Sequence, residues 1–122
     1  MNVATIRDLH SILAWVTVVV NGVAGAWCLG AHQFGILRLR AVWWLVVCAQ
    51  VAIFLQVLLG VAMVSGYDLK APEFHMFYGF VSLVAVALLY AYRNQLKPHL
   101  YLLYGFGGLF LMGLNLRSIF LA

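Results

Sequence analysis

Long runs without a formal charge constrain this chain more than any other feature. Residues 12–37, 41–67, 74–92 and 98–116 contain no Asp, Glu, Lys or Arg. Each run is near or above the roughly 18 to 20 residues with which a helix crosses a ~30 Å hydrocarbon layer. A soluble domain of 122 residues that is 66% hydrophobic and 8% charged has too little polar surface to face water. The expected fold is an all-α membrane protein, a four-transmembrane-helix up-down bundle. Its spans should cover about residues 5–30, 40–65, 72–92 and 98–121, with residues 30–37 read as loop. The first run exceeds the ~7 to 15 residue core of a cleaved secretory signal and no small-residue cleavage motif follows it, so it counts as a span.

Punctuation supports these limits. Pro72 and Pro98 stand where helices begin, a position at which the missing N–H costs nothing. Ser65-Gly66 is a C-terminal stop for the second span. Short loops make consecutive helices antiparallel neighbours, and without a linker or low-complexity segment residues 1–122 form one domain. LHSILAWV (9–16) echoes FHMFYGFV (74–81), and LLGV (58–61) echoes LMGL (111–114), a weak sign of two related helix pairs.

Charge sets sidedness. Arg38 and Arg40 lie between spans one and two, Arg93 and Lys97 between three and four, and neither loop has an acid. Arg7, Lys70 and Arg117 belong to the other side, together with Asp8, Asp68 and Glu73. The positive-inside rule then makes both termini extracytoplasmic. The net charge of +4 reflects this topology and gives no reason to expect a nucleic-acid partner; the expected partner is the lipid bilayer. Without organelle-targeting features, the expectation is a multi-pass protein of a cell membrane, a bacterial plasma membrane. Cys28 and Cys48 fall within spans and read as small buried hydrophobes. Trp15, Trp27, Trp43, Trp44, Tyr101 and Tyr104 lie toward span ends, as an aromatic belt requires.

His10 and His75 enter the membrane from the same side, each within about two turns of its helix start. Below His10, at helical spacing, stand Ala14, Thr17, Asn21 and Gly25; below His75 stand Gly79, Ser82 and Val86. Two histidines at one depth above small, weakly polar faces is the arrangement a six-coordinate heme needs inside a bundle. The competing reading is that each is an interfacial histidine solvated by water and headgroups. His32 and His99 belong to the opposite side, and His32 falls beyond the expected end of span one.

Four stretches occur in a telling order: IRDLHS with His10, the basic RLR, LQVLLG with Gln56 and Gly60, and EFHMF with His75. In order, spacing and sidedness, residues 6–86 resemble three consecutive helices of one four-helix half of the heme A synthase family. There a helix opens with a ligating histidine, a basic loop and a Gln-x-x-x-Gly helix follow, and a second ligating histidine opens the next helix. The resemblance implies that His10 and His75 are axial ligands of a b-type heme. Arg7, Lys70 and Arg117 would then serve its propionates, while Gln56 and Gly79 line the site. The family's catalytic acid is missing: Arg7 stands at its place, Asp8 is about 100° around the helix, and Ser11 replaces the arginine after the histidine. Only one half of the eight-helix fold is present, so a second site would need a homodimer.

The function expected from this is one-electron transfer or heme handling beside a respiratory or heme-assembly membrane partner, with no enzyme activity of its own. The alternative is a cofactor-free accessory or assembly subunit of a larger membrane complex. That subunit would use Gly22, Ala26 and Gly30, with Gly105, Gly107 and Gly108, for close helix contact. A transporter fits poorly, because the spans hold no carboxylate to couple to protons or sodium.

Overall fold

The computed structural model describes residues 2–121 and holds four helices, with no strand among the described residues. Helix α1 spans Val3–Gln33, α2 Arg40–Gly66, α3 Glu73–Ala91 and α4 Leu100–Phe120, with 3-10 turns at Gly35–Leu37 and Lys97–His99. All four helical segments are long and apolar enough to cross a membrane. The solvation pattern agrees: Thr17, Asn21 and Ser82 are buried, while Trp44, Phe80, Phe106 and Phe110 are more than half exposed. Apolar rings outside, with hydroxyls and an amide inside, suit lipid as the surrounding solvent.

Local chemistry fixes the helix ends. The Asn2 side chain accepts the Thr5 N–H at 2.8 Å, satisfying one orphan donor of α1. Helix α1 continues to Gln33, so the loop expected over residues 30–37 begins only at Phe34 and His32 is helical. The reason is packing and capping. Ala31 is fully buried, Phe34 donates to the Gly30 carbonyl at 2.8 Å, and Arg38 Nε donates to the Ala31 carbonyl at 2.7 Å. The basic loop thus closes the C-terminus of α1, where a cation also suits the helix dipole. Helix α2 ends at Gly66, but the left-handed residue that turns the chain is Asp68, φ 52°. Aspartate tolerates that region better than most residues, and Leu69 N–H returns to the Met63 carbonyl at 3.0 Å. Pro72 caps α3 from outside the helix, and Pro98 sits in the 3-10 turn before α4.

The ends of α2 and α4 lie beside the starts of α1 and α3, so successive helices alternate in direction. Helices α1 and α4 form the closest pair. A Cβ on Gly25 would lie 2.8 Å from the Gly105 carbonyl oxygen, and one on Gly108 would lie 2.9 Å from the Gly25 Cα. Missing side chains let these backbones touch. Helix α2 packs along α1 and α3 along α4, whereas α2 and α3 meet only sparsely. Neighbourhood in sequence therefore fails for this pair: their six-residue connection joins the helix ends without drawing the helices together.

Two apolar clusters close the bundle. Ala24, Cys28, Val42, Val46 and Ala49 form one, against which Trp43, Tyr101 and Tyr104 pack. Trp43 stacks on Tyr101 with centroids 5.0 Å apart and meets Tyr104 edge-on at 5.7 Å. These rings join α2 to α4, where a lipid-facing belt was expected. Ile53, Ala85, Val86, Leu111 and Leu114 form the second cluster. Cys48 is exposed on the outside of α2, in contrast to Cys28 and to the burial expected of both.

Candidate cofactor site

Both histidine-bearing faces turn inward. Below His10, Thr17, Asn21 and Gly25 are buried, and below His75, Ser82 and Val86 are buried. The polar groups on these two faces have local partners. Thr17 donates to the Leu13 carbonyl at 2.7 Å and Ser82 to the Tyr78 carbonyl at 3.0 Å. Asn21 donates to the Thr17 carbonyl at 2.9 Å and across to Ala49 on α2 at 3.3 Å. Asn115 donates to Leu111 at 2.7 Å. These bonds satisfy groups that hydrocarbon would leave unpaired.

Above them, where α2 and α3 part, lies a cavity of about 760 Å³. That volume falls within the ~300–1,000 Å³ usual for cofactor and ligand sites. All four helices contribute: His10 and Ala14 from α1, Gln56 and Gly60 from α2, His75 and Gly79 from α3, Asn115 and Ser118 from α4. Lys70, on the connection between α2 and α3, also reaches its wall. Arg7 and Arg117 are exposed and lie outside the lining residues. Of the seven residues singled out from sequence, the structure therefore brings five together: His10, Gln56, Lys70, His75 and Gly79.

The histidine rings face each other with centroids 6.0 Å apart and planes 74° apart. With metal–imidazole bonds of about 2.0 Å, two rings trans to one metal ion have centroids roughly 6 Å apart. On α4, the Ser118 carbonyl oxygen accepts from His75 Nδ1 at 2.8 Å, and the Ser118 hydroxyl stands 2.9 Å from the same nitrogen. On α2, Gln56 Nε2 donates to the His10 backbone carbonyl at 2.7 Å. His10 Nδ1 and Gln56 Oε1 are buried without a hydrogen-bond partner.

Two features fit a flat metal-bearing cofactor. The ring separation is compatible with one ion held by both imidazoles. A Cβ on Gly79 would meet nothing within 4 Å, so the cavity wall there is bare backbone that a planar group can approach. Among the described residues no group of three or more His, Cys, Asp or Glu is placed to hold a metal ion.

Ser118 was not legible in the sequence, since a serine near a helix end has many ordinary uses. The glycines assigned to partner contact serve inside the chain. Gly105 and Gly108 meet α1, a Cβ on Gly107 would strike Leu89, and Cβ atoms on Gly22 and Gly30 would strike Met112 and Leu37. Compared with protein-family models, curated proteins and solved structures, the chain matches none.

Proposed function

We propose that this chain is a small membrane heme protein, with a b-type heme held between His10 and His75. The observation that carries the reading is the facing of two histidine rings at 6.0 Å across a cavity of cofactor size. Heme b would supply reversible one-electron chemistry, and ligation by both rings leaves no open position for substrate at the iron. The protein residues hold and orient. Ser118 fixes the His75 ring, Gln56 braces α1 against α2, and Gly79 keeps the wall flat. Lys70 offers a cation to a propionate at the mouth of the cavity.

The positive-inside rule puts the site on the outer side of the membrane, with both termini extracytoplasmic. The role would be electron transfer or heme handling, in a bacterial plasma membrane, beside a respiratory or heme-assembly partner. The resemblance to one half of the heme A synthase family supports heme binding and not that family's oxidation chemistry, because Arg7 replaces the catalytic acid. The internal use of Gly105, Gly107 and Gly108 weakens the alternative of a cofactor-free accessory subunit.

Heme titration of the detergent-purified protein tests the proposal. The wild type should saturate at one heme per chain with a six-coordinate spectrum. The double variant His10→Ala/His75→Ala should bind none, while His32→Ala should match the wild type. Undiminished binding by the double variant would remove the ligand assignment.

A further inference from the structure

The two facing histidines are held unequally. A carbonyl oxygen only accepts, so the 2.8 Å contact with Ser118 puts the proton on His75 Nδ1 and the lone pair on Nε2. Ser118 lies in the last turn of α4, and its carbonyl, which also accepts the Leu121 N–H at 3.2 Å, has a second lone pair for the ring. Its hydroxyl also donates to the His75 carbonyl at 3.3 Å, tying the start of α3 to the end of α4. His10 has no counterpart. Its Nδ1 is buried without a partner, and the nearby amide of Gln56 engages its backbone rather than its ring. The ring edge rests against Gly60, where a Cβ would lie 3.5 Å from His10 Cε1. Packing alone orients it.

A ligating histidine whose second nitrogen donates to a carbonyl is more basic and better aimed. Loss of such a partner costs about 10–100-fold in metal affinity. We infer that the site is asymmetric: His75 is its permanent ligand and His10 its exchangeable one, displaceable by a small neutral molecule that binds reduced heme iron. The inference rests on the heme reading above and adds a ligand-binding activity to it. Exchange moves no electrons. The bond from His10 Nε2 to iron breaks with its lone pair staying on nitrogen, and the incoming ligand donates its own pair. On its own helix face the ring has only the small Ala14 one turn below it.

Carbon monoxide is the probe. The reduced, heme-loaded wild type should bind it with a shift of the main absorption band. His10→Ala should keep its heme in five-coordinate form and bind carbon monoxide at least about 10-fold more tightly, having no internal competitor. His75→Ala should retain less heme than His10→Ala. Added imidazole should restore the six-coordinate spectrum to His10→Gly. A six-coordinate wild type indifferent to saturating carbon monoxide would overturn the asymmetry, as would equal heme retention by the two alanine variants. Both results leave heme binding intact. A wild type that takes up no heme overturns the parent reading instead. The wild-type titration needs no variant to fold.

Discussion

Gly79→Leu should abolish heme binding and leave the bundle as stable as before. Gly79 lines the cavity, and nothing stands within 4 Å of where its Cβ would be. A leucine therefore enters open space that the macrocycle needs. A loss of about 100-fold or more in heme affinity is expected, equivalent to about 2.8 kcal/mol. The fold should not suffer, because exchanging a mid-helix glycine for leucine recovers up to about 1 kcal/mol of helix propensity. Heme titration and thermal unfolding in the same detergent separate the two effects. Full heme binding by the variant would place the cofactor elsewhere, and a lowered melting temperature would make Gly79 a packing residue.

Gly25→Leu should do the reverse and break the bundle. At Gly25 even a Cβ lies 2.8 Å from two backbone atoms of α4, the Gly105 carbonyl oxygen and the Leu109 nitrogen. Backbone cannot swing aside as a side-chain tip does, so α1 and α4 must separate. The expected cost is about 3 kcal/mol or more, at the upper end for overpacking. Gly113→Leu is the control on the same helix pair, since nothing lies within 4 Å of its Cβ position. Heme binding should fall with the fold in Gly25→Leu, because His75 is aimed by α4 and His10 by α1. Unchanged stability would mean that α1 and α4 do not rely on glycine contact.

The sequence carried the helices and the histidine pair for related reasons. Uninterrupted apolar runs can do little but span as helices, and the charges cluster where the runs stop. His10 and His75 stood out because each opens an odd-numbered span above a face of small residues. Facing requires that both helices enter from one side, which alternation provides, and that both small-residue faces turn into the bundle. The residue that holds the His75 ring was less legible. Ser118 meets His75 because α4 ends beside the start of α3, a tertiary fact that serine's local context does not encode. The opening between α2 and α3 was hidden by a short connection, which fixes the distance between helix ends and leaves their divergence free.

Composition also misplaced some small and aromatic residues. Glycine permits close approach without naming the partner, so Gly105 and Gly108 read equally as an external face or as the seat of α1. Trp43 lies near a span end, yet stacking on Tyr101 turns it inward. His32 joined α1 because burial of Ala31 and capping by Arg38 extend that helix past Gly30. Arg7 and Arg117 share a side with Lys70 but not a cavity, because position along a helix does not fix which way a long cationic side chain faces.

Low-temperature electron paramagnetic resonance of the oxidised, heme-loaded protein tests the central claim most directly. If His10 and His75 hold the heme, their ring planes, 74° apart, should give a low-spin ferric signal of the strongly anisotropic kind that crossed imidazoles produce. That signal should disappear in the His10→Ala/His75→Ala variant. A high-spin ferric signal, or no heme iron signal after loading, would contradict coordination by His10 and His75.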